Sequence, residues 1–375
     1  MRGSPNLEPR RPNAVRVARP RSSAGILSTL FGGWRVLLLA AMVLVALGAS
    51  MTSRATPTDA RQGNPGGEAT LGTATSPVVV AVPLAPTAPP TPTPCCIRPL
   101  VAPTMPPVAN SNRTPVRNAG SPDPNPSTNR FVVVDGESGA VLFEMNGYEP
   151  IAPASLTKIM TAILGIEHGN PSEHIKVDVS SKDFQDSTLM GLEPWFDVTL
   201  EDILYGLMLP SGNDAAVAIA RYVAGDENTF IQLMNQRAAE LGLQSTHFAN
   251  PHGLDAPNHY SSPYDMVVMA RYGMQYPLFQ KLAAARYHDI TGSNIAYTVE
   301  NLNPILWAYP GADGVKIGYT DDAGRAMVAT AERNGHRIYV AFMRSEAGLV
   351  PDTVELFDWA FNSFTWPGES APAGQ

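Results

Sequence analysis

Apolar residues fall into three unlike regions along the chain. From Val36 to Met51 they run almost unbroken (VLLLAAMVLVALGASM). From Thr52 to about Thr128 large apolar side chains are sparse among Pro, Thr, Ala and Ser. From Arg130 to Trp366 short apolar runs alternate with polar positions at strand and helix periods.

The third region opens with Phe131 to Asp135 (FVVVD), a turn at Gly136 to Gly139, and Ala140 to Glu144 (AVLFE), a pattern that predicts a β-hairpin. Near the other end, Arg325 to Arg333 and Arg337 to Arg344 flank Asn334-Gly335. Asn-Gly between apolar strands supplies the two positive-φ positions of a tight hairpin turn.

Between the hairpins the period is helical. Ile159 to Ile166 is apolar nearly all round and stops at His168-Gly169-Asn170-Pro171, which predicts a buried central helix with Ser155 and Lys158 in its first turn. Thr199 with Asp202 reads as a capping box ahead of Ile203 to Leu209. Ser262-Pro263-Tyr264-Asp265 combines cap, proline and acid ahead of Met266 to Met274. Glu227 to Leu241 carries Phe230, Leu233, Met234, Ala238 and Leu241 on one face before Gly242, as a surface helix does. A last helix, about Thr353 to Phe364, would cover one face of the sheet.

Strands at both ends with helices between them predict an α+β fold: an antiparallel β-sheet built from both ends of the domain, flanked by helices, with an inserted helical region. The folded domain is expected at 129–366, followed by a flexible tail at 367–375.

Charge changes the reading of the N-terminus. Arg2, Arg10, Arg11, Arg16, Arg19, Arg21 and Arg35 are opposed only by Glu8. Positive charge ahead of an apolar run keeps that end inside, so 1–35 is expected to be cytoplasmic. Residues 36–51 are then a transmembrane signal-anchor, or a cleaved signal peptide ending near Gly48, Ala49 and Ser50. Either way, the chain beyond Met51 is expected to be exported, and the anchor reading gives a single-pass cell-membrane protein with its folded domain outside. Residues 52–128 cannot bury enough surface to offset ordering and are expected to form a disordered tether.

The net charge of -8 offers no basic patch for a phosphate backbone, which excludes nucleic acid as a partner. Cys95 and Cys96, the only cysteines, are adjacent and lie in the tether. They imply no disulfide framework, and the folded domain has neither a thiol nucleophile nor a cysteine-based zinc site.

Three short motifs carry candidate chemistry. Ser155 and Lys158 are three apart, so both project from one face of a first helical turn. There the unpaired amides and the helix dipole disfavour an ammonium and favour an oxyanion, and a neutral lysine beside a serine activates it. The bland alternative is a helix cap followed by a solvated lysine. Ser211-Gly212-Asn213 lies between two helical runs, where an ordinary capped turn would also fit. Lys316-Ile317-Gly318-Tyr319-Thr320 precedes the C-terminal hairpin and could equally be an edge-strand lysine near a glycine bulge.

Taken in order, SxxK, SGN and KxG resemble the serine penicillin-recognising set. The longer strings APASLTKIMTA, TLEDILYGLMLPSGNDAAVAIA, FANPHGLD and DGVKIGYTDDAG resemble blocks of the low-molecular-mass D-alanyl-D-alanine carboxypeptidases, peptidase family S11, across roughly Arg130 to Trp366. The resemblance implies that Ser155 attacks the penultimate D-alanine carbonyl and that Lys158 takes its proton. It implies that Ser211 relays a proton to the leaving D-alanine, that Asn213 holds the substrate amide, and that Lys316 supplies positive charge. Gly318 would let the substrate backbone lie along its strand, and Tyr319 N–H would complete an oxyanion hole with Ser155 N–H. No metal or other cofactor is implied. The implied partners are peptidoglycan stem peptides ending in D-Ala-D-Ala, β-lactam antibiotics as covalent inhibitors, and the membrane through the N-terminal segment.

Two departures stand out. Ile317 occupies the place of a usual Thr whose hydroxyl donates to the terminal carboxylate, and Ala347 to Asp352 holds no basic residue where relatives often place an arginine. They leave open a catalytically impaired homologue that binds penicillin or peptidoglycan. A β-lactamase would share the nucleophile but not the block pattern. His252 reads as a turn residue, and His247, His259 and His288 lack metal-ligand spacing.

Overall fold

The computed structural model of the protein describes residues 112–184, 187–292 and 294–369. The basic N-terminus, the apolar run 36–51, Cys95, Cys96, most of the expected tether and the end of the expected tail lie outside the described residues. Among the described residues no helix is long and apolar enough to cross a membrane.

The described chain begins with β1 (Val116–Arg117), then β2 (Phe131–Asp135) and β3 (Val141–Met145). A 3-10 turn at Ala154–Thr157 runs into α1 (Lys158–His168). β4 (His174–Lys176) pairs with β5 (Asp197–Thr199), and four helices come next: α2 (Leu200–Met208), α3 (Asn213–Ala224), α4 (Glu227–Glu240) and α5 (Pro263–Gly273). After α6 (Pro277–Ala284), the hairpin of β6 (Tyr287–Thr291) and β7 (Ala296–Glu300) leads to α7 (Ile305–Ala308). The chain returns to the sheet with β8 (Ala312–Thr320), β9 (Gly324–Arg333) and β10 (His336–Phe342), then ends in α8 (Leu349–Ser363) and β11 (Phe364–Thr365).

The main sheet has the order β3-β2-β10-β9-β8 with every pairing antiparallel. Both ends of the domain build it and the helical region is inserted between them, which is the predicted α+β class. The run FVVV in β2 is apolar without alternation because the sheet is buried on both faces. Val132 and Val134 join the cluster around α1, while Phe131 and Val133 join Leu356, Phe357 and Ala360 of α8.

α1 is buried from Lys158 through Glu167, as its all-round apolarity requires. The predicted caps form: Thr199 accepts from Asp202 N and closes a capping box, and Ser262 accepts from Asp265 N with Pro263 in the first turn. α8 starts at Leu349, four residues ahead of the expected Thr353.

The expected boundary between tether and domain at 128/129 is wrong. β1 pairs with β11, Trp359 Nε1 donates to Pro122 O at 2.7 Å, and Ser127 donates to Asp352 from both N and Oγ at 2.7 Å. The segment from 112 is held by hydrogen bonds to α8 and by two buried prolines, Pro115 and Pro124, rather than by large apolar side chains, which is why its composition reads as tether. At the other end, Glu369 sits 3.1 Å from His336 Nε2, so the expected tail is tied at least that far.

Asp352 is only 2 % exposed. A chain starting at Arg130 would strip it of both Ser127 donors, and hydrogen bonds to a charged group are worth about 1.5 to 3 kcal/mol each. Urea denaturation should therefore find that shorter chain less stable than one starting at 112 by about 3 to 6 kcal/mol. Equal midpoints would show that the segment contributes nothing.

Candidate active site

The SxxK serine does not open an α-helix directly. Ser155 sits on the 3-10 turn, and Lys158 is the first residue of α1. Ala154, just before the serine, has φ 49°, a conformation that costs a non-glycine residue on the order of 1 kcal/mol. What holds it there is visible across the turn: Gly253 packs so closely that a Cβ on it would lie 1.9 Å from Ala154 O. The loop 250–253 therefore lies flat against the nucleophile turn only because position 253 has no side chain.

Ser211 is the second strained residue, at φ 64°. It turns the chain sharply between α2 and α3, which places Ser211 and Asn213 facing Ser155. Strain at two chemically equipped serine turns is where strain is usually found in functional proteins.

All three motifs meet in one cleft of about 720 Å³, lined among others by Ser155, Ser211, Asn213, Ile317, Gly318 and Tyr319. Lys158 and Lys316 lie beneath it at 0 % and 2 % exposure. Ser211 Oγ is buried with no hydrogen-bond partner among the described residues. Tyr319 is 65 % exposed at the rim.

Lys158 Nζ stands 2.9 Å from Ser155 Oγ, 2.7 Å from Asn213 Oδ1 and 2.6 Å from the carbonyl oxygen of His252. The last two atoms can only accept. A neutral amine has two N–H donors and one lone pair, so Asn213 and His252 take both hydrogens and the lone pair is left to face the serine hydroxyl. Burial pushes the Lys158 ammonium well below its usual 10.5; the nearby Lys316 pushes the same way and Asp214 opposes. The arrangement holds an amine base against a serine.

Asn213, expected to hold the substrate, thus also orients the base. With Oδ1 on Lys158, its NH₂ is the end left to donate into the cleft. His252 acts through its backbone carbonyl, which its reading as a turn residue did not reveal. Its ring is neutral: burial, then Lys158, then His259 depress it to about 3.

His259 is held down to about 4, chiefly by burial. Its Nδ1 accepts from Ala249 N at 2.8 Å, so Nε2 carries the proton and donates to Thr157 Oγ1 at 2.9 Å. That bond braces the turn that carries Ser155.

Lys316 reaches into the buried side from β8, with Nζ donating to Ile317 O at 3.2 Å. Burial pushes it down to about 7. Gly318 comes so near the nucleophile turn that a Cβ there would meet Ser155 N and Ala154 Cβ, each at 3.0 Å. The glycine is needed for strand and turn to touch, and the contact brings the Ser155 amide alongside the Gly318–Tyr319 peptide.

One supporting residue has no signature in the sequence. Asp214, fully buried, accepts from Met190 N, Gly191 N and Leu192 N, each at 2.8 Å, and from Ala215 N at 2.9 Å. It fixes the segment that carries Ser187 and Thr188 along the cleft wall. In sequence it looks like any acid in a first helical turn. Among the described residues no group of three His, Cys, Asp or Glu side chains is placed to hold a metal ion.

Comparison with known proteins bears on the same stretch of chain. The family model described as D-alanyl-D-alanine carboxypeptidase, Peptidase S11, matches residues 117–347. The D-alanyl-D-alanine carboxypeptidase DacF of Bacillus subtilis is 36% identical over 242 residues, 62% of each chain. DacB2 of Mycobacterium tuberculosis is 34% identical over 257 residues, 66% of this chain and 87% of that protein. The chain thus spans under two thirds of the Bacillus relative's length.

Among solved structures, the Mycobacterium tuberculosis D-alanyl-D-alanine carboxypeptidase superposes with a TM-score of 0.61 at 32% identity, over 66% of this chain and 96% of that one. The Streptomyces K15 DD-transpeptidase gives 0.60 at 28% identity, over 64% and 99%. With the three motifs converging on one cleft, and with the match running from β1 past the C-terminal hairpin, the chain belongs to the D-alanyl-D-alanine carboxypeptidase family, peptidase S11.

Proposed function

We propose that the protein is a serine D-alanyl-D-alanine carboxypeptidase that removes the terminal D-alanine from peptidoglycan stem peptides. The observation that carries this reading is the buried Lys158 Nζ, held 2.7 Å from Asn213 Oδ1, 2.6 Å from His252 O and 2.9 Å from Ser155 Oγ, with burial favouring its neutral form. A serine with a neutral, oriented base is a nucleophile at neutral pH.

In the proposed reaction Ser155 Oγ adds to the carbonyl of the penultimate D-alanine as Lys158 takes its proton. The amides of Ser155 and Tyr319 receive the oxyanion. The C–N bond then breaks as the Lys158 ammonium returns that proton, by way of the Ser211 hydroxyl, to the departing amine, which leaves Lys158 neutral again, with Lys316 keeping positive charge beside it. Free D-alanine leaves and the peptide remains as an ester on Ser155. Water adds to that ester, Lys158 takes its proton, and the Ser155 hydroxyl is regenerated. β-Lactams would enter by the same first step and stay as esters.

Placement outside the cell rests on the seven arginines ahead of the apolar run 36–51. On this reading 52–111 carries the domain away from the membrane.

One experiment addresses both. The purified full-length chain should release D-alanine from a peptide ending in D-Ala-D-Ala, and a membrane-impermeant fluorescent penicillin should label it at Ser155 in intact spheroplasts. Labelling only after lysis would refute the placement; an adduct on another residue, or no release of D-alanine, would refute the reaction.

A further inference from the structure

A terminal D-alanine brings a carboxylate that needs donors, and the two expected from relatives are missing. Ile317 has no hydroxyl, and the start of α8 brings Leu349, Val350 and Pro351 to the cleft instead of a cation. Leu302 and Pro304 continue this apolar wall.

One arginine lines the same cleft from the neighbouring strand: Arg325 of β9. In the β8–β9 register Tyr319 is paired with Arg325 and Ile317 with Met327. Paired residues and alternate residues share a face, so these four lie on one face of the sheet, the face that α8 covers through Met327. Arg325 is diagonal to Ile317. Diagonal neighbours stand about 7 to 8 Å apart, within the span of an arginine side chain.

Its chemical state is unusual for this protein. Each of the other described arginines has a partner. Arg113, Arg117, Arg130, Arg221, Arg237, Arg333 and Arg337 form ion pairs, and Arg271, Arg286 and Arg344 donate to carbonyls. Arg325 is exposed and makes no side-chain hydrogen bond or ion pair with any described residue.

We propose that Arg325 binds the terminal carboxylate of the substrate, supplying from β9 the contact that a Thr at 317 would supply from β8. The proposal rests on the carboxypeptidase reading and names the residue that selects a free C-terminus. A guanidinium fork matches a carboxylate with two parallel hydrogen bonds, which a single hydroxyl cannot do. Ile317 then packs beside that fork as an apolar neighbour, excluding water from the pair.

The test compares acylation of Ser155 by a penicillin bearing its free carboxylate with acylation by the methyl ester of the same compound. Rates are followed by mass spectrometry on the full-length chain. Arg325→Leu should slow the acid about 10- to 100-fold and the ester by little, so that the preference for the acid collapses. Arg325→Lys should keep part of that preference, and adding Ile317→Thr to Arg325→Leu should restore more of it than Ile317→Thr adds to wild type.

Acid and ester slowing together, or an acid rate unchanged by Arg325→Leu, would overturn the assignment while leaving the carboxypeptidase reading intact. Absence of acylation of wild type by either compound would overturn both. Thermal midpoints of the variants check folding; Arg325 is exposed, so these should match wild type.

Discussion

Lys158→Met is expected to slow acylation of Ser155 by penicillin about 10²- to 10⁴-fold, the range that a positioned general base supplies, and Ser155→Ala to leave no adduct at all. Methionine preserves length and apolar bulk but has no lone pair for the serine proton. It also leaves Asn213 Oδ1 and His252 O without the donor that each has at 2.7 and 2.6 Å, so loss of alignment adds to loss of the base.

The pH dependence of the wild type gives an independent check. Lys158 acts when neutral, so kcat/KM should rise as pH rises through its depressed pKa. Lys316 acts when charged, so kcat/KM should fall again as pH passes about 7 in the free enzyme. The expected profile is a bell. Lys158→Met should lose the rising limb, and a variant that kept it would show that another group is the base.

Lys316→Met is expected to cost activity about 10²- to 10³-fold, as loss of a preorganised charge does, and at the same time to stabilise the fold. A lysine whose pKa falls from 10.5 to about 7 on folding carries a penalty of 3.5 × 1.36, or ~5 kcal/mol at most. Below about pH 7 the lysine is charged in both states and the penalty is complete. Between about 7 and 10.5 the unfolded chain holds the extra proton, so stability rises with pH and the penalty fades.

The gain from Lys316→Met should therefore be largest at pH 6, about 1 to 3 kcal/mol after Ile317 O loses its donor, and should shrink by pH 9. Urea denaturation at the two values measures it. A variant less stable than wild type at both would mean that the ammonium is held by interactions stronger than the cost of burying it. Lys158 offers no such clean gain, because its removal unpairs two buried acceptors.

How much of this the sequence disclosed depends on the distance over which each feature is decided. Asn334-Gly335 announced its hairpin because both residues adopt the positive φ, 55° and 83°, that the turn itself demands. Thr199 with Asp202 and Ser262 with Asp265 announced helix starts because a cap is a bond between residues three apart. The three motifs were legible as chemistry because their residue types are few and their order is distinctive.

What was hidden is decided across the chain. Residues 112–128 are tied to α8 by Ser127 and Asp352, 225 positions apart, and composition is blind to such bonds. The role of the His252 carbonyl has no side-chain signature, since every residue has one. Asp214 looked like a first-turn acid because nothing local reveals that three amides of another segment converge on it. Arg325 passed as a hairpin residue because only the register shows which face it shares with Ile317.

The position of β8 at the end of the sheet also bears on how the molecule behaves among its own copies. A strand at the end of a sheet presents a row of unpaired backbone groups, and such rows nucleate aggregation. Here the row is sunk in a trench. Gly318 lies against the Ala154–Ser155 turn, and Gly314 comes so close to α6 that a Cβ on it would be 2.8 Å from Ala283 Cβ. A lone extended peptide can slide into such a slot, but the broad edge of a second folded sheet is kept out by the walls. On the β8 side of the sheet, a strand can stay available to a peptide without offering a second sheet a template.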